Sequence, residues 1–112
     1  KVGVSVVDRG GHVLVTLRDH GAAHHTVELA QRKAYTSRIF RQSSKDFSQR
    51  LRDNPLSAGL GTTSGVVASI GGIPIKVGDE VIGGIGVSGA PGGERDEACA
   101  LAGIAKVADR LK

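Results

Sequence analysis

The chain has 112 residues, room for one domain with one core, since domains run to roughly 100–150 residues. Apolar residues make up 39% and charged residues 23%, a balance that builds a core and excludes a disordered chain. The net charge of +4 comes from dispersed basic residues, mildly concentrated from Arg32 to Arg52. Tyr35, Phe40 and Phe47 are the only aromatics on which bases could stack, so no nucleic-acid partner is expected.

Val2 to Val7 and His12 to Leu17 are β-branched or aliphatic runs around Asp8-Arg9-Gly10-Gly11, a hairpin signal. Residues from about Thr26 to Arg41 switch to helical period. Val27, Ala30, Ala34 and Ser37 form one stripe, small enough to let a helix sit close to a sheet. Leu29, Lys33, Thr36 and Phe40 form the next, with Glu28, Arg32 and Tyr35 opposite.

Ser43 or Ser44 caps a second helix reaching about Arg52, and Asn54-Pro55 stops it, because the residue before proline is pushed from the helical region. Leu56 to Ser64 reads as a loop. Gly65 to Ile70, Ile73 to Val77 and Glu80 to Ser88 read as three strands, the last two joined through Gly78-Asp79. After Gly89-Ala90-Pro91-Gly92-Gly93 a final helix from about Glu94 to Leu111 places Ala98, Leu101, Ala102, Ala105 and Ala108 on one face.

The order ββααβββα predicts an α+β fold, a five-stranded antiparallel sheet flanked by helices, over residues 1–112 as a single domain. Glycines inside the last strand (Gly83, Gly84, Gly86) need a close neighbour to justify them. Close helix packing or a ligand would explain them, and the expected helix is the last one. Gly84 to Gly89 fits GxGxxG formally, but no second parallel strand follows, so the dinucleotide reading fails.

Cys99 is the only cysteine, so neither an intrachain disulfide nor a multi-cysteine metal site is available, and a cytoplasmic location is expected. Arg95 lies four residues before it, but no Cys–His pairing is visible. No run approaches the roughly 20 apolar residues of a membrane span, so no membrane partner is expected.

The run Gly71-Gly72-Ile73-Pro74-Ile75-Lys76-Val77-Gly78-Asp79-Glu80-Val81-Ile82-Gly83-Gly84-Ile85-Gly86-Val87-Ser88-Gly89 resembles the signature of the GlcG/HbpS-like family, which includes PduO C-terminal-like domains. Agreement continues into Asp96-Glu97-Ala98. It extends back through Val6-Val7-Asp8, Gly11-His12, Arg18, Ala30 and Lys33-Ala34-Tyr35-Thr36. The resemblance implies a profilin-like α/β sandwich, a homo-oligomer, and a haem ligand, with a corrinoid as the second choice. Family members usually begin with a helix before the first strand, whereas here a strand pattern opens the sequence, so that helix is expected to be lacking.

Candidate ligand groups follow from residue type. His20, His24 and His25 stand at the mouth of the first long helix, where neutral imidazole can reach iron, His24 and His25 being the candidate metal ligands. The plain alternative is that they are solvated. The Thr36 hydroxyl is a further candidate to approach the iron. Lys33 lies on a face that turns partly inward, so its ammonium needs a partner or an acidic ligand, unless its stem packs while its head reaches water. Arg18, Lys33 and Arg41 together could bind carboxylates such as haem propionates or a small organic acid. The free N–H groups after Gly92-Gly93 offer another anion site, although Glu94, Asp96 and Glu97 already occupy that first turn as ordinary helix-start charge.

These residues and the resemblance point to a small-ligand-binding protein that binds haem or another tetrapyrrole, with a role in haem handling or sensing. Two readings stay open beside it: an accessory protein or enzyme of small hydroxy- or oxo-acid or corrinoid metabolism, and an oligomeric scaffold.

Overall fold

A computed structural model describes Lys1–Lys112. Strands β1 (Gly3–Val7) and β2 (Val13–Arg18) are followed by helices α1 (His25–Phe40) and α2 (Ser44–Asp53), a 3-10 segment over Pro55–Thr62, strands β3 (Gly72–Val77) and β4 (Glu80–Ser88), and helix α3 (Gly93–Lys106) with a short 3-10 turn, Ala108–Arg110. The fold is α+β, and its antiparallel sheet has four strands in the order β2-β1-β4-β3.

The fifth expected strand, Gly65 to Ile70, does not form, and the order is ββααββα. The backbone groups of this segment are spoken for elsewhere. Val66 N–H closes a turn onto Thr63 O at 3.0 Å, and Val67 N–H donates to the Thr36 hydroxyl of α1 at 3.0 Å. A strand-like composition needs a free sheet edge to become a strand, and this one is held along a helix.

The first hairpin turn is built by Asp8, whose Oδ1 accepts from the backbone N–H of Gly10 and of His12, each at 2.9 Å. The His12 N–H does most to hold the Asp8 carboxyl below its ordinary pKa, opposed by desolvation and aided by the Gly10 N–H and the His12 charge. A bulge where Val7 meets Val13 shifts the β1–β2 register.

Helix α1 lies on the glycine side of the sheet. Pairing of Ser5 with Gly86 and Val7 with Gly84 puts these residues on one face, and there a Cβ on Gly84 would strike the Ala34 carbonyl while one on Gly86 would strike the Ala30 carbonyl. The small stripe of α1 therefore rests directly on bare backbone, and Ala30, Ala34 and Ser37 are fully buried. The glycine surface thus lies under α1, not under the last helix as expected.

Helix α3 packs on the other face over β3 and β4, with Ile85 Cδ1 3.7 Å from where a Cβ of Gly103 would stand. Its inward stripe is Asp96 and Ala100, with Ile104 partly covered, whereas Ala98, Leu101, Ala102, Ala105 and Ala108 are exposed. The expected face is turned away from the sheet because Asp96 is anchored inside the protein. Ser43 caps α2 by accepting from Asp46 N–H at 3.1 Å, and Phe47 stacks on Phe40 at 4.3 Å between centroids.

No helix is long and apolar enough to cross a membrane.

Candidate functional site

At the N-terminal end of α1 the molecule opens a cavity of about 580 Å³. Three elements frame it: the loop and first turn of α1 (Gly21 to Ala23, His25 and Thr26, then Leu29 and Lys33), the chain leaving β4 (Ser88-Gly89-Ala90), and the start of α3 (Gly92, Gly93, Asp96). Position i, i+4, i+8 along α1 accounts for one wall, since His25, Leu29 and Lys33 fall on one helical face. No side chain caps the N-terminus of α1 or of α3. The first N–H groups of a helix have no intrahelical acceptor and carry its positive dipole end.

Lys33 is 3% exposed and Asp96 4% exposed. The Lys33 ammonium donates to Asp96 Oδ2 at 3.1 Å and to Val87 O at 2.9 Å, and Asp96 Oδ1 accepts from Ala90 N–H at 2.9 Å. Both carboxylate oxygens are occupied within the protein. An ammonium has three N–H donors, and two are used by these contacts. The pair ties α1, β4 and α3 together at the edge of the cavity.

The positive groups of this site outnumber the negative ones. Lys1 joins Lys33 in the lining, and Asp96 is the single carboxylate. Small residues, including Gly21, Gly89, Gly92 and Gly93, leave the opening wide, while Thr26, Ser69 and Ser88 supply hydroxyls.

Of the residues singled out in the sequence, the structure brings His25 and Lys33 to this cavity. His20 and His24 are exposed outside its lining, His24 as the cap residue of α1. Arg18 donates from Nη1 to Ala22 O at 3.2 Å, bracing the loop from behind. Thr36 is fully buried, its hydroxyl donating to Arg32 O at 2.7 Å and accepting from Val67 N–H. Arg41 follows the far end of α1, so Arg18, Lys33 and Arg41 do not converge on one carboxylate: a 16-residue helix places its two ends about 24 Å apart. No group of three or more His, Cys, Asp or Glu side chains gathers to hold a metal ion. Cys99 is free and exposed.

Asp96 was not singled out by sequence, where it reads as helix-start charge beside Glu94 and Glu97. Its signal was present in the spacing of Asp96, Ala100 and Ile104, a stripe less apolar than its alanine-rich neighbour.

A family described as "Haem degrading protein HbpS-like" matches residues 1–105. The chain belongs to the HbpS-like family. Protein GlcG of Escherichia coli K12 is 31% identical over 88 residues, 78% of this HbpS-like chain and 63% of GlcG. The chain spans less than two thirds of the length of the curated relatives it matches. Among solved structures, a double mutant of HbpS from Streptomyces reticuli is 38% identical with a TM-score of 0.88, covering 95% of this chain and 70% of that one. A complex of PduOC with haem is 32% identical with a TM-score of 0.80, covering 93% of this chain and 76% of that one. The GlcG/HbpS-like resemblance read from Gly71 to Gly89 is thereby shown, as is the antiparallel sheet flanked by helices.

Proposed function

We propose that this HbpS-like chain binds a small carboxylate-bearing ligand in the cavity between α1 and α3, with haem as the ligand. One observation carries the reading: an imidazole, His25, and a buried ammonium, Lys33, line a single cavity at which two helices begin without side-chain caps. Imidazole suits iron, and helix N-termini with nearby cations suit the propionates.

The residues present fit such a group. His25 is the side chain that would reach the iron, Lys1, Lys33 and the start of α3 would hold the carboxylates, and the glycines around the opening leave room for a flat ring. Bound haem would supply a redox-active iron. The chain supplies charge, orientation and shelter on the side of Leu29 and Ala90. The relatives favour the same ligand, since the family description names haem degradation and a neighbour was crystallised with haem. Haem handling or sensing is the role this reading assigns.

Titration of the pure protein with haemin is expected to give a Soret band that saturates at a fixed stoichiometry. In His25→Ala its position is expected to shift, and in His20→Ala and His24→Ala to stay. A titration with no spectral change would sink the haem reading.

The polar lining favours a second reading, a small hydroxy- or oxo-acid. A ligand that binds only the native state raises stability by mass action, so a thermal-shift screen of short hydroxy- and oxo-acids, read against haemin, separates the two. For its partner we infer a second copy of the chain, seated on β2. That strand is an unpaired edge with Val13, Leu14, Val15 and Leu17 at least 47% exposed. The complement of an open apolar strand is another such strand, which each copy carries.

A further inference from the structure

At the end of α1 away from the cavity, the two hairpin turns come together and enclose a cleft of about 240 Å³ lined by Arg9, Arg38, Arg41, Asp79, Glu80 and Val81. Three guanidinium groups in so small a space repel one another, and a stable arrangement needs negative charge among them. Part of that charge is internal. Arg9 donates from Nε at 3.0 Å and from Nη2 at 2.8 Å to Glu80 Oε2. Arg38 is positioned by its Nε, which donates to the Arg9 carbonyl at 2.6 Å, leaving its two Nη groups without a protein acceptor. Arg41 donates no side-chain hydrogen bond, and Asp79 accepts none.

Arg41 is also the single non-glycine residue with positive φ, at 57°. It occupies the left-handed position that ends α1, where glycine is the ordinary residue and a side chain costs about 1 kcal/mol. Attraction to the negative end of the helix dipole explains a basic residue near this position. It does not explain why an arginine takes the left-handed residue itself, with Arg38 already in the last turn.

We propose that this cleft binds a phosphate monoester that carries a free hydroxyl. With Arg9 and Glu80 satisfying each other, Arg38 and Arg41 remain to donate to a phosphate, and together with Asp79 they leave the cleft one net positive charge. The forked donors of the two arginines match the phosphate oxygens. A bare phosphate would face the Asp79 carboxylate, whereas a hydroxyl on the ester turns that carboxylate into an acceptor. The site is independent of the haem reading and lies at the opposite end of α1.

The test is an amide NMR titration of the intact chain with ribose 5-phosphate, inorganic phosphate and ribose. Ribose 5-phosphate is expected to shift the amides of Arg9, Arg38, Arg41 and Asp79 with higher affinity than phosphate, and ribose is expected to shift none. Arg38→Gln and Arg41→Gly should each weaken binding about tenfold, as for loss of a charge-assisted hydrogen bond. Arg41→Gly suits a left-handed backbone, so its fold and thermal midpoint are expected to hold while binding weakens. Glu80→Gln should tighten binding by freeing Arg9, and Asp79→Ala should abolish the preference for the ester. Absence of shifts at these amides, or full affinity in Arg41→Gly, overturns the site; equal affinity for ester and phosphate in the unmodified chain overturns the role of Asp79.

Discussion

At Lys33 a single side chain fixes the relation of three elements, because its ammonium reaches both Asp96 in α3 and Val87 O in β4. Two charges taken out of water are stabilised only by close pairing and full hydrogen bonding, and here no buried side-chain polar atom lacks a partner. Removing one partner strands the other. Lys33→Met is expected to lower unfolding free energy by about 3–5 kcal/mol, as for a broken buried pair, and Lys33→Met with Asp96→Leu to recover most of it. Urea denaturation of the two variants checks this. A double variant as unstable as the single one would mean that the lysine acts through packing of its stem rather than through the pair.

At the scale of elements, the controlling contact is α1 on β4, where helix backbone rests on strand backbone because Gly84 and Gly86 carry no side chain. Gly86→Ala is expected to cost about 1–3 kcal/mol, since the added carbon meets Ala30 O and, at 2.6 Å, Ala34 N. It also meets Lys33 Cβ at 3.0 Å, so the displaced helix should carry Lys33 with it and weaken haemin binding. Denaturation and the Soret titration measure the two effects. This contact was half legible in the sequence: the small stripe of α1 and the glycines of β4 each asked for a close partner. Which helix met which strand was not legible, because both α1 and α3 offer alanine stripes and a pattern of small residues does not name its neighbour. Likewise Val66 and Val67 have the residue types of a strand, and only the Thr36 hydroxyl, far away in sequence, decides otherwise. Side-chain type pointed equally to Arg18, His20, His24, His25, Lys33 and Thr36; separating the cavity-lining His25 from His24 required the phase of α1, and finding Asp96 required knowing which side of α3 faces inward.

Across the whole molecule, the sheet is covered unevenly. Helix α3 shields β3 and β4 but makes no packing contact with β1 or β2, and Leu17 on β2, paired with Val4, is 68% exposed. A charge there opposes burial against another copy. Leu17→Lys is therefore expected to lower the mass in light scattering while leaving the haemin titration unchanged; an unaltered mass removes β2 from the contact.

The opposite margin of the sheet is closed to such growth. Gly72 N–H is already given to the Ser44 hydroxyl at 2.8 Å, and Pro74 has no N–H to give. One margin can accept a neighbouring strand and the other refuses it. Chains that join along the receptive margin alone have no second end from which to extend, so the β2 contact proposed above would yield pairs and never a ribbon.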